Sequence, residues 1–266
     1  MEKKKKHPLH GYGYGSSSNL EQVQVITLKE VDSTNSYLRN LPADKVEKEF
    51  VAVVAKSQTA GRGQRGNSWE SAPNKNLTFS IMMHPTFLTA NEQFILSQAM
   101  ALSVKETLDD YVRSPHPRIK WPNDIYWNKK KLCGILIETD LMGKNMETCI
   151  IGVGINLNQE TFHSDAPNPV SVWQITGHAT EPLTIMKKII QRFVTYYNQI
   201  RQGQTHDLID HYHKGLFRRV GYHLFRQGDT QFDARIRGVK TDGHLLLEDR
   251  EGNIRTFGFK EVEYVI

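Results

Sequence analysis

The segment CIIGVGINL (149–157) is nearly all apolar, which marks a strand covered on both faces and therefore central in its sheet. VAVVAK (51–56) is a shorter β-branched run that leads straight into a glycine-rich loop. LTFSIMM (77–83) alternates so that Leu77, Phe79, Ile81 and Met83 share one face of a strand. IKW (119–121), IYW (125–127) and KLCGILIET (131–139) predict three more strands, with NKK as the hairpin turn between the last two. Helical spacing appears in three places. Asp32 or Ser33 can cap a short helix through Leu38–Asn40 that Pro42 ends. Thr89 and Glu92 form a capping box for a long helix in which Ile95, Ala99 and Leu102, then Val104, Leu108 and Val112, recur. A loop with Pro167 and Pro169 leads to a helix over 184–201, with Ile185, Ile189, Phe193, Tyr197 and Ile200 inward.

From about residue 220 the texture changes. YHLFR, QFDARIRGVK, HLLLEDR, IRTFGF and VEYVI are short strands divided by QGD, TDG and REGN turns, the pattern of a small antiparallel barrel. The preceding region mixes helices and strands without strict alternation, which predicts an α+β class. The expected division is a disordered N-terminal extension over 1–20, a main domain over 21–218 and a C-terminal barrel over 219–266.

Composition changes the picture little. With 266 residues the chain can hold one large domain and a small appendage. The net charge of +5 suggests anionic ligands, although part of it is the run Lys3–Lys6, read as a solvated tail. The N-terminus lacks the apolar core of a signal peptide, and no segment approaches the ~18 apolar residues of a membrane helix. Cys133 and Cys149 each sit in a strand-like run and are expected as buried thiols in a reducing cytoplasm.

Candidate chemistry concentrates at strand ends and turns. Gly61, Gly63 and Gly66 in QTAGRGQRGNSW (58–69) match the dinucleotide-binding G-x-G-x-x-G. Its context does not fit, because NSWESAPNKN favours turns over the required helix and position 86 is threonine where an acid is needed. No Gly-Lys-Ser/Thr closes a Walker loop. VDSTNSYL (31–38), KWPND (120–124) and KLCGILIE (131–138) complete the set. Arg62, Arg65, Lys120 and Lys131 supply enough positive charge for a triphosphate, and Ser33, Thr34, Asn35 and Gln58 could hold a neutral polar group. No Ser-His-Asp or Cys-His set accompanies them, so a covalent enzyme intermediate is not indicated. Trp69, Trp121 and Trp127 read as core, and the HYH of 211–213 with His206 reads as a solvated helix face, without zinc-ligand spacing.

Taken in order over roughly residues 24–266, DSTN, QTAGRGQRG-x-x-W, KWPND, K-L-x-GIL-x-E and GVGIN resemble the biotin protein ligases. The resemblance implies a class II synthetase-like catalytic domain, a mixed sheet flanked by helices, followed by an SH3-like barrel. It implies that biotin and Mg-ATP form biotinyl-5′-AMP, with Mg2+ as the metal and no residue assigned as its ligand, although Asp124 has a metal-binding or amine-orienting role open to it beside that of a turn cap. That intermediate then acylates a lysine of a biotin carboxyl carrier protein or domain, as in acetyl-CoA carboxylase. By the same resemblance Ser33, Thr34, Asn35, Gln58, Arg62, Gly63, Gln64 and Lys131 would contact biotin. Arg65, Lys120, Asp124 and Asn156 would contact the nucleotide, and Lys131, Arg62 and Arg65 would carry the catalytic charge. Gln64 departs from the family, whose familiar bacterial loop has arginine there. Only about twenty residues precede the catalytic region, so a ligase without a DNA-binding domain is expected, cytoplasmic, off the membrane, and monomeric or weakly dimeric. A lipoate–protein ligase is the alternative enzyme and a nucleic-acid-binding regulator the alternative class; the latter lacks a reader helix and a clustered basic face.

Overall fold

The computed structural model describes residues 18–163 and 168–266, without the side chains of Ser18 and Arg65. The expectation for residues 1–20 therefore lies, as far as residue 17, outside the described residues, as does Pro167. A short helix α1 (Ser18–Glu21) precedes β1 (Val23–Leu28), and α2 (Thr34–Arg39) leads to β2 (Phe50–Ala55). Then follow β3 (Leu77–Met83), α3 (Phe94–Asp109), β4 (Arg118–Lys120), β5 (Asp124–Trp127), β6 (Lys130–Met142) and β7 (Asn145–Ile155). These strands form one seven-stranded sheet in the order β1-β2-β3-β7-β6-β5-β4. Only β1 and β2 run parallel and the other pairs are antiparallel, so the sheet is mixed. β7 occupies the middle position, as its continuous apolar run predicts. The β5–β6 turn falls on Asn128 and Lys129, with Asn128 in the left-handed region that asparagine tolerates.

The capping box at Thr89 and Glu92 is present, but it opens a single 3-10 turn (Ala90–Glu92), and α3 begins two residues later. That helix is buried nearly all round, so Phe94, Leu96, Met100 and Ala101 are covered as well as most of the face its spacing predicts. α4 (Val172–Thr176) was not expected; Ser171 and Gln174 form its own capping box. α5 (Pro182–Arg201) buries Ile185, Ile189, Phe193, Tyr197 and Ile200 as its spacing predicts. α3 and α5 cover one face of the sheet, and α6 (His206–Gly215) packs beside α3. The two cysteines are free and buried, and burial pushes the Cys149 thiol up to about 12.

The last five strands, β8 (His223–Gln227), β9 (Thr230–Val239), β10 (Leu245–Asp249), β11 (Ile254–Phe257) and β12 (Glu263–Tyr264), form a second, antiparallel sheet. It meets the first unit through Phe94, Trp121 and Phe259, and Trp121 Nε1 donates to Gly243 O at 2.9 Å. Among the described residues, no helix is long and apolar enough to cross a membrane.

The reading of 211–213 as a solvated face needs correction. Tyr212 is fully buried, and Val239 N–H of β9 donates to His213 Nε2 at 2.9 Å. Only a neutral imidazole can accept that bond. Burial holds the His213 pKa below its ordinary 6.5, with Arg219 adding to the shift and Asp210 opposing it. The sign follows: below pH 6.5 the unfolded chain takes up a proton that the folded chain resists. This stability is complete above that pH and declines as the solution is acidified. Between about pH 7.5 and about pH 5.5, thermal melts of the wild type should lose more stability than those of His213→Gln, whose amide oxygen can still accept from Val239. Equal losses would remove His213 from the account.

Candidate functional site

The sheet face opposite α3 and α5 carries a cleft of about 820 Å³, within the usual range for small-molecule sites. Its floor is β7 and β6, whose Gly152, Gly154 and Gly134 leave room above the strands. A Cβ on Gly154 would stand 2.6 Å from Trp69 Nε1, and one on Gly152 would stand 3.1 Å from Asn35 Cγ. Trp69 thus lies on the glycine floor as a cleft wall, which corrects its expected place in the core. From Gly152 to Asn156 the floor runs roughly 13 Å at ~3.3 Å per residue, the length of an elongated ligand.

The glycine loop folds back on itself. Gly63 N–H donates to Asn67 O at 2.6 Å and Trp69 N–H to Gly61 O at 2.9 Å. Gly66 has φ +84°, and a Cβ on Gly61 would approach Trp69 O to 2.7 Å, so both positions require glycine. Thr59 and Ala60 N–H groups donate to Val31 O and Asp32 O, tying the loop's entry to the DSTN segment. Arg62, Gly63 and Gln64 line the cleft; the Arg65 side chain lies outside the described residues.

At one end, Ser33, Thr34 and Asn35 project from the start of α2, all of them buried. Gln58 Oε1 accepts from Thr34 N–H at 2.8 Å, and Ser80 Oγ lies 2.7 Å from Thr34 Oγ1 and 2.5 Å from Asn35 Oδ1. Glu138, which sequence reasoning passed over as a site residue, accepts from Asn35 Nδ2 at 2.7 Å and pairs with Arg62 at 3.1 Å. It was findable as the one acid within the apolar run KLCGILIET (131–139), in phase with Gly134.

The other end is charged. Lys131 Nζ pairs with Asp124 Oδ1 at 2.9 Å and sits 5.8 Å from the Trp69 ring centroid. Its main chain is clamped, with N–H donated to Asn168 O at 2.8 Å and O accepting from Val170 N–H at 2.9 Å. Lys120 lies between the rings of Tyr126 (5.1 Å) and Tyr264 (4.9 Å), the second supplied by β12. Burial lowers the Lys120 pKa, and Asp124 opposes that shift. Asn156 is stitched to Leu132 O and Val172 N–H, yet its Oδ1 is buried without a hydrogen-bond partner, as is Trp69 Nε1. Two such buried orphans in one cleft mark places where a ligand would complete the bonding. Lys260 and Glu263 of the C-terminal unit reach the same wall. Every residue proposed from sequence to bind ligand, Arg65 aside, lines this one cleft.

A polar network at one end of a glycine floor and two lysines at the other define an α+β enzyme site for a long ligand with an anionic half. The family model for the biotin/lipoate A/B protein ligase family matches residues 27–156. The bifunctional ligase/repressor BirA of Escherichia coli is 34% identical over 237 residues, covering 86% of this chain and 70% of that protein. The biotin–[acetyl-CoA-carboxylase] ligase of Paracoccus denitrificans is 29% identical over 236 residues, covering 85% and 94%. A biotin protein ligase from Aquifex aeolicus, solved in complex with biotin and ATP, superposes with a TM-score of 0.74 at 26% identity, covering 90% and 97%. The chain belongs to the biotin/lipoate A/B protein ligase family, and within it to the biotin protein ligases.

Proposed function

We propose that this protein activates biotin with Mg-ATP and transfers it to a lysine of a biotin carboxyl carrier protein or domain, as in acetyl-CoA carboxylase. In the first half-reaction a biotin carboxylate oxygen attacks the α-phosphorus and pyrophosphate leaves with the electron pair. In the second, the acceptor lysine amine attacks the biotinyl carbonyl, AMP departs and the amine proton is released. The observation that carries this reading is the division of one cleft into a hydrogen-bonding end, where Arg62 is paired with Glu138, and a lysine end, joined by glycines. Ser33, Thr34, Asn35 and Gln58 would hold the ureido ring. Lys131, with Arg62 and Arg65, would draw together the two anions whose repulsion opposes the first step. Lys120 and Asp124 would face the phosphates, and Asn156 Oδ1 would accept from the adenine amino group. Among the described residues no cluster of three metal-binding side chains exists. Mg2+ fits as a companion of the phosphates, with at most Asp124 from the protein.

We further propose that residues 21–218 form the catalytic domain and 219–266 a C-terminal domain serving its nucleotide end. The enzyme would act in the cytoplasm as a monomer or weak homodimer, without DNA. Pyrophosphate release from ATP with biotin, with lipoate and with no acid tests the reading. Biotin alone should support it; equal release with lipoate would shift the assignment to the lipoate branch. Titration with biotin against a nucleic-acid duplex separates the enzyme from a nucleic-acid binder.

Gln64 adds a quantitative expectation. A glutamine in place of arginine removes one charge-assisted hydrogen bond, which is roughly twice as strong as a neutral one. Gln64→Arg should therefore slow dissociation of preformed biotinyl-AMP, read by stopped-flow fluorescence. Release as fast as in the wild type would mean that Gln64 does not hold the intermediate.

A further inference from the structure

Glu138 touches two residues that come from different segments of the cleft, yet it does not line the cleft itself. Its role follows from what each partner of Asn35 can do. Ser80 Oγ contacts Asn35 Oδ1 at 2.5 Å, but a hydroxyl either donates or accepts, so serine would tolerate either end of the carboxamide. An ionised carboxylate only accepts. Glu138, at 2.7 Å from Nδ2, is therefore the group that decides which way round the amide sits. The carboxamide is confined, since Asn35 is 3% exposed and lies directly above Gly152. In this orientation one Nδ2 hydrogen and one Oδ1 lone pair stay unused by the protein partners named. A cyclic urea presents a carbonyl acceptor flanked by N–H donors and needs both. Turning the amide over would exchange them.

We infer that Glu138 is a positioning residue that fixes the donor–acceptor polarity of Asn35 toward a cyclic-urea ligand and, through Arg62, anchors the glycine loop at the same end. This rests on biotin being the ligand. Glutamine at 138 keeps the shape but can both donate and accept, so it no longer selects one orientation of Asn35.

Calorimetric binding of biotin and, separately, of ATP to the wild type, E138Q, N35A and the double variant tests the inference, with thermal midpoints as a folding check. Biotin binding should weaken about tenfold in E138Q, the worth of one well-placed hydrogen bond, while ATP binding holds. In the N35A background E138Q should add less than about twofold, because residues acting through one another are not additive. A wild type that ignores biotin would remove the ground of both this inference and the proposed function. A wild type that binds biotin overturns the inference alone if E138Q binds equally well, if E138Q weakens ATP to the same degree, or if its effect is undiminished in N35A.

Discussion

Lys131→Ala should slow formation of biotinyl-AMP by about a hundred- to a thousandfold, on the order of 3–4 kcal/mol of transition-state stabilisation. The chain should remain folded, because the position is held by main-chain bonds to Asn168 and Val170 that do not involve the side chain. Two effects would combine. The ammonium that draws carboxylate and α-phosphate together is lost, and Asp124, now without the lysine at 2.9 Å, turns its negative charge toward the phosphates. Removing that second charge should therefore recover part of the loss, so Asp124→Asn in the Lys131→Ala background should outpace the single variant. Single-turnover pyrophosphate release measures both, and an unaltered rate in Lys131→Ala would end the bridging role.

Gly154→Ala should impair the cleft from below. The added methyl carbon would lie 2.6 Å from Trp69 Nε1 and 2.8 Å from Cζ2, closer than such carbons approach other atoms. Either the indole lifts off the floor into ligand space or the central strand shifts, and overpacking of this kind destabilises by about 1–3 kcal/mol. Displaced tryptophan would occupy the volume a ligand needs, so biotin binding should fall by about five- to a hundredfold or slightly more if that penalty is met again on binding. Calorimetry and the thermal midpoint separate the two responses. Wild-type affinity in this variant would mean that Trp69 moves freely and is no fixed wall.

Much of the fold was legible because the pattern was local. The β7 run is apolar on both faces, and a strand with that pattern has to lie in the interior of a sheet. The five C-terminal strands were separated by turn residues of unmistakable chemistry. α4 was hidden because a five-residue helix inside a proline-containing loop has almost no periodicity of its own. The residues of the cleft could be chosen from their motifs, but not their partnerships. Trp69 looks apolar in a sequence, and only the register of β6 against β7, Gly134 beside Gly154, leaves the gap that the indole fills. His213 reads as one of three polar histidines until β9 folds back against α6 and offers Val239 N–H. Both depend on contacts far apart in sequence, which spacing along one element does not encode.

The wall around Lys120 has a kinetic meaning. Its two rings come from Tyr126 and Tyr264, and the cleft as a whole gathers residues from Ser33 to Glu263. Such distant closures are slow to form, since the chain entropy of a long loop must be given up before any contact rewards it. During refolding, the DSTN end and its glycine floor can be complete while the lysine is still without its second ring. Competence for the uncharged half of the ligand should then return first, and competence for the nucleotide only when the terminal strand has docked.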